Sequence, residues 1–207
     1  MCRYGAIPAE LTGGPEPTPG PAAPCQLGGL TWTALLTSMF LHGSWFHLIG
    51  NMWFLWIFGN NIEDSMGRFR FLLFYLLTGL AAAAAHTLSV PDSPLPMVGA
   101  SGAISGVMGA YLVLYPRVRV FTLFFFFIFI RVIPLPAWVM LGYWFAIQLI
   151  SGSMTPGDGA GVAFWAHVGG FAAGLLLVKL FENRQLVGAK RRNVKLDPHQ
   201  IRHGGWW

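Results

Sequence analysis

Gly99-Ala100-Ser101-Gly102-Ala103-Ile104-Ser105-Gly106-Val107-Met108-Gly109-Ala110 (99–110) opens an apolar run in which small residues recur every fourth place, at Gly102, Gly106 and Ala110. Residues four apart share one face of a helix, and small side chains on that face let two membrane helices approach closely. A second stretch repeats the pattern. In Ala166-His167-Val168-Gly169-Gly170-Phe171-Ala172-Ala173-Gly174 the small residues Ala166, Gly170 and Gly174 stand at the same spacing. Two matched stripes predict two tightly packed helices in an all-α membrane protein.

The rest of the chain agrees with that class. It has 207 residues, of which 55% are hydrophobic and 10% charged, with a mean hydropathy of +0.56. A soluble domain carries about 25% charged residues. Five spans are predicted, at 44–61, 69–88, 100–115, 136–151 and 163–180, several of them near the ~17-residue lower limit for crossing a bilayer. Residues 1–29, rich in Gly and Pro, read as loop, and 30–42 as a short interfacial helix. The chain therefore divides into an extracytoplasmic loop with its interfacial helix (1–42), a transmembrane core (43–182) and a basic, solvated cytoplasmic tail (183–207).

Loop charge sets the orientation. Arg68 and Arg70 follow the first span, Arg117 and Arg119 the third, and Arg184, Lys190, Arg191 and Arg192 the fifth. Five spans put all three clusters on one side, as the positive-inside bias requires. A sixth span through Val120–Ile130 would break that pattern, so 119–134 is read as an interfacial or re-entrant connection. The C-terminus is then cytoplasmic. Of the 13 Lys and Arg, 7 lie from Lys179 onward, an asymmetry that points to topology and lipid headgroups, not to nucleic acid. Cys2 and Cys25 can pair if their stretch is extracytoplasmic.

Polar side chains inside a bilayer are costly and are functional candidates by default. Those of the apolar core are His47, Asn51, His86, Ser101, Ser105, Gln148 and His167. Ser101 stands where the third span begins. The first N–H groups of a helix lack intrahelical partners, and with the dipole they favour a developing oxyanion. A serine there can attack a carbonyl while those groups hold the oxygen. Ser is also a favoured helix cap, which is the competing reading. His167, near the start of the fifth span, changes the balance. Spans three and five run the same way, so close pairing sets Ser101 and His167 at similar depth, as activation by a general base needs. His47 and Asn51, four apart on the first span, are candidate oxyanion donors together with the backbone at Gly99, Ala100 and Ser101. Ser105, one turn deeper, is read as packing, and His42 as a structural histidine facing water. No acidic residue is placed to orient His167, so the expectation is a dyad. Glu63 is expected to tie down the loop after the first span. There is no His-Glu-x-x-His, phosphate loop or dinucleotide fingerprint, so neither metal nor cofactor is expected.

These residues resemble the rhomboid family of intramembrane serine proteases. The resemblance covers about residues 30–180 and rests on Phe40-Leu41-His42-Gly43-Ser44-Trp45-Phe46-His47, Gly50-Asn51-Met52, Glu63 to Gly67, Gly99-Ala100-Ser101-Gly102, and Ala166-His167 with Gly170 and Gly174. It implies a rhomboid-like helical bundle and a serine endopeptidase. Ser101 and His167 match the dyad, and His47 and Asn51 the side chains near the oxyanion. The implied substrates are single-pass membrane proteins, cut near the extracytoplasmic face of the bilayer, and the expected location is a bacterial inner membrane, as a multi-pass protein. The resemblance leaves oligomeric state open. The family core has six spans and five are legible here. A misassigned start, a fragment and a five-span form each account for the difference. The alternative function is a catalytically inactive relative that binds transmembrane helices of client proteins.

Overall fold

Ser44 begins the first long helix: its hydroxyl accepts from the His47 N–H at 3.1 Å, leaving α3 to run from Trp45 to Phe54. The helix does not stop there. A π-helical turn, Leu55–Gly59, carries it into α4, Asn60–Met66. Such a turn inserts one residue and re-phases a helix. Within it Phe58, and beyond it Ile62, face the core, whereas in α3 Asn51 is the buried residue. The computed structural model describes residues 1–14, 25, 32–126, 129–155 and 162–192, most of them helical.

Four further helices complete the bundle: α5 (Arg68–Ser89), α6 (Ser101–Leu114), α7 (Ala137–Met154) and α8 (Phe164–Phe181). By length and composition α5, α7 and α8 are apolar and long enough to cross a membrane, and α6 is a shorter apolar helix. Large apolar side chains point outward along the bundle, among them Phe46 and Trp53 on α3, Trp56 in the π-helical turn, and Leu176 and Leu180 on α8. Water would penalise such a surface, whereas a bilayer accepts it.

The centre is built from small residues. A Cβ on Gly170 would run into the Gly102 carbonyl, and one on Gly174 into the Gly106 carbonyl. The α6 and α8 backbones therefore touch, in parallel. The stripe on α6 has a second partner: a Cβ on Gly102 would meet Ala82, and one on Gly106 would meet Thr78, both on α5. It is Gly109 whose Cβ would strike α8, at the Phe171 carbonyl. The small residues thus serve a three-helix junction, not the single pair expected from the sequence.

Elsewhere the structure departs from the sequence reading in four places. The stretch read as an interfacial or re-entrant connection carries two antiparallel paired strands, β1 (Arg119–Phe126) and β2 (Phe129–Pro136). The N-terminal loop contains α1, Pro8–Thr12, and the interfacial helix is reduced to α2, Ala34–Thr37, with a 3-10 turn, Ser38–Phe40. The first part of the tail is not a solvated extension. It folds as α9, Arg184–Arg191, capped by the Asn183 side chain, which accepts from the Gln185 and Leu186 N–H groups. Val187 and Ala189 are buried, and Lys190 pairs with Asp64 of α4. The tail beyond Arg192 lies outside the described residues.

Cys2 and Cys25 form a disulfide. The segment it closes braces the loop ahead of α6. Ala6 and Met97 exchange backbone hydrogen bonds at 3.1 and 2.7 Å, Ala9 N–H donates to the Ser93 carbonyl at 3.0 Å, and the Thr12 hydroxyl donates to the Pro91 carbonyl at 2.8 Å.

Candidate active site

Ser101 is the first residue of α6, and its side chain makes no capping bond; Ala100 occupies the cap position. The hydroxyl instead lies 2.8 Å from His167 Nε2. That geometry disfavours the cap reading of Ser101. His167 stands one turn into α8, and the contact between α6 and α8 backbones brings the two side chains level. The other ring nitrogen, Nδ1, lies 2.8 Å from Gln148 Oε1 on α7. The Trp144 ring, one turn earlier on α7, lies 5.9 Å from the imidazole.

A cavity of about 310 Å³ opens at this pair. Met97, Gly99, Val162 and His47 contribute to its lining with Ser101 and His167. Gly99 is a tight point in that lining. Its φ of +124° is strained for any residue with a side chain. A Cβ there would also fall 2.8 Å from His47 Nε2 and 3.7 Å from Asn51 Nδ2. The missing side chain thus lets both first-helix groups approach the backbone just ahead of Ser101.

The polarity of those groups follows from their other contacts. His47 Nδ1 accepts a long 3.4 Å bond from the Gly43 N–H, which puts the ring proton on Nε2, facing Gly99. Asn51 is 7% exposed, and its Nδ2 is buried with no hydrogen-bond partner among the described residues. A buried donor without a partner is costly, and here it lies beside Gly99, which itself lines the cavity. Helical hydrogen bonding in α6 begins with Ile104 N–H to the Ala100 carbonyl, so the first N–H groups, from Ser101, have no partner within the helix. The Gly99 N–H is different. It donates to the Ser38 carbonyl at 2.9 Å, so Gly99 is corrected from an amide donor to a residue that matters for what it lacks. Ala100 is buried, and its carbonyl accepts the first bond of the helix.

The remaining candidates lie as follows. The Ser105 hydroxyl donates to the Ser101 carbonyl at 2.6 Å and is fully buried. His42 is half-buried, with its ring edge-on to His47 at 5.2 Å. His86 is buried on α5 and borders a second cavity that His47 shares. The Glu63 carboxylate approaches Arg68 at 3.9 Å on the exposed surface. The turn after α4 is held more firmly by Ser65, whose hydroxyl meets the Tyr115 hydroxyl at 2.6 Å and whose carbonyl accepts from Asn183 N–H at 2.8 Å. Among the described residues no cluster of three His, Cys, Asp or Glu is placed to hold a metal. The sequence singled out Gln148 as a polar residue in an apolar span but gave it no partner. Its contact with His167 is the site feature that sequence reasoning missed.

The fold and the site together define an apolar helical bundle with a hydrogen-bonded serine–histidine pair where two parallel helices begin. A model of the rhomboid domain matches residues 29–184, and the chain belongs to the rhomboid family. It is 44% identical over 81 residues to rhomboid protease GluP of Bacillus subtilis (strain 168), covering 39% of this chain and 15% of that protein. It is 41% identical over 76 residues to Rhomboid-like protein 11, chloroplastic, of Arabidopsis thaliana, covering 37% of this chain and 27% of the relative. The mitochondrial presenilin-associated rhomboid-like protein of Mus musculus is 28% identical over 176 residues, covering 83% of this chain and 43% of the relative. The chain thus spans less than half the length of these relatives.

Proposed function

We propose that this protein is an intramembrane serine endopeptidase in which Ser101 is the nucleophile and His167 the general base. The observation that carries the proposal is the 2.8 Å contact between Ser101 Oγ and His167 Nε2 at the mouth of a cavity. In the proposed reaction His167 Nε2 takes the hydroxyl proton as Oγ attacks the scissile carbonyl. The tetrahedral oxyanion is met by the Ser101 N–H, His47 Nε2–H and Asn51 Nδ2–H. The imidazolium then protonates the departing amine, and the acyl-enzyme is hydrolysed by water activated at the same nitrogen.

Depth supports a membrane substrate. At 1.5 Å per residue the 14 residues of α6 reach about 21 Å, short of the ~30 Å hydrocarbon core. A bundle whose outer helices span the bilayer then holds Ser101 below its surface. The proposed substrates are single-pass transmembrane segments, opened near the extracytoplasmic face where residues that loosen their helix expose an amide. The same reading sets the C-terminus in the cytoplasm of a bacterial cell. Cleavage of a transmembrane reporter in membranes tests it: Ser101→Ala and His167→Ala are each expected to abolish the product. Substantial cleavage by either variant would contradict the dyad. A folded protein that binds the reporter without cleaving it would favour the client-binding alternative.

A further inference from the structure

The position that a carboxylate takes in a catalytic triad is held here by an amide. No Asp or Glu lies well inside a span, yet His167 is bonded at both nitrogens: Nε2 to Ser101 Oγ and Nδ1 to Gln148 Oε1, each at 2.8 Å. An amide oxygen can only accept. The contact therefore requires a proton on Nδ1 and leaves the Nε2 lone pair toward the serine, which is the tautomer that a general base needs.

Gln148 is itself well fixed. It is 8% exposed on an otherwise apolar helix, where an unpaired amide would be costly. One turn earlier, the Trp144 ring lies 5.9 Å from both the imidazole and the Phe171 ring, which stand one turn apart on α8. Phe145 stacks on Phe171 at 4.6 Å. These aromatic contacts pack α7 against α8 one turn from the contact of Gln148 with Nδ1.

The geometry points to Gln148 as a positioning residue that holds His167 in its base-competent tautomer, making the site a Ser–His–Gln arrangement in place of a bare dyad. The inference rests on the dyad proposed above. Gln148 touches no reacting atom; it acts through the ring.

The test combines kinetics of reporter cleavage with nitrogen-15 NMR of histidine-labelled protein in detergent. Gln148→Leu removes the acceptor and keeps the bulk. It is expected to lower kcat about 10²-fold, short of the ~10⁴-fold cost of a mis-set triad histidine, with KM within about twofold. Gln148→Glu retains an acceptor oxygen and is expected to recover most of kcat. In the wild-type spectrum the neutral His167 ring should carry its proton on Nδ1, and in Gln148→Leu it should show a mixture of tautomers. A Gln148→Leu variant with wild-type kcat would overturn the inference, as would a wild-type ring protonated on Nε2. If Gln148→Leu does not fold, the wild-type spectrum and Gln148→Glu still decide. Ser101→Ala and His167→Ala run in parallel separate the two claims: loss of activity in both, with an indifferent Gln148→Leu, removes the glutamine and leaves the dyad standing.

Discussion

Asn51 Nδ2 and Gly99 express one design from two sides. The amide nitrogen is buried with no partner among the described residues, and the glycine has no side chain to keep the amide and His47 Nε2 away from the backbone ahead of Ser101. If the site binds an oxyanion, Asn51→Ala should lower kcat by about 10²–10³-fold, the usual cost of one such donor, with folding intact. Gly99→Ala should be more damaging, because its φ is unfavourable and its methyl would meet His47. Reporter cleavage alongside circular dichroism checks both, and a wild-type rate for Asn51→Ala would remove it from the oxyanion hole. These residues were legible in the sequence because polar groups are conspicuous in apolar spans. The engagement of the Gly99 N–H with Ser38 was not, since a loop-to-turn backbone bond leaves no mark on residue type.

At the scale of elements, the small-residue spacing carried most of the information. A glycine every fourth place encodes backbone contact between helices almost directly, and the contacts at Gly170 and Gly174 follow. What the spacing does not encode is how many helices share the junction, which depends on α5 lying across the same stripe. Gly170→Ala should therefore force α6 and α8 apart, at about 1–3 kcal/mol for overpacking. Gly142→Ala on α7, where a Cβ meets open space, should be neutral or mildly stabilising. Thermal unfolding in detergent compares the two, and equal midpoints would contradict backbone contact at Gly170. The strand pair β1–β2 escaped the sequence because Val120–Ile130 is a nearly unbroken apolar run with no period to distinguish strand from helix. The polar composition of α9 hid it in turn: two apolar side chains, Val187 and Ala189, are buried, and polar contacts to α4 from Lys190 and Asn183 complete its anchoring. The contact of Gln148 with His167 depends on aromatic packing that no single segment reveals.

Over the whole molecule, the site is gathered from parts far apart in the chain: His47 and Asn51 from α3, Ser101 from α6, and His167 from α8 with Gln148 behind it on α7. The N-terminal segment enters through the disulfide and the Ala6–Met97 pairing, which brace the loop leading to Ser101. A disulfide closing a loop of this order contributes about 3 kcal/mol. Reductant, or Cys2→Ser, should thus lower the thermal midpoint by several degrees and weaken cleavage; a midpoint indifferent to both would mean the segment does not brace the site. The central claim concerns Ser101 alone, and labelling with a serine-directed fluorophosphonate tests it most directly. The wild-type protein in membranes should be labelled on Ser101, and both Ser101→Ala and His167→Ala should abolish the signal. Absent labelling of the folded wild type, or labelling that survives Ser101→Ala, would contradict a nucleophile at Ser101.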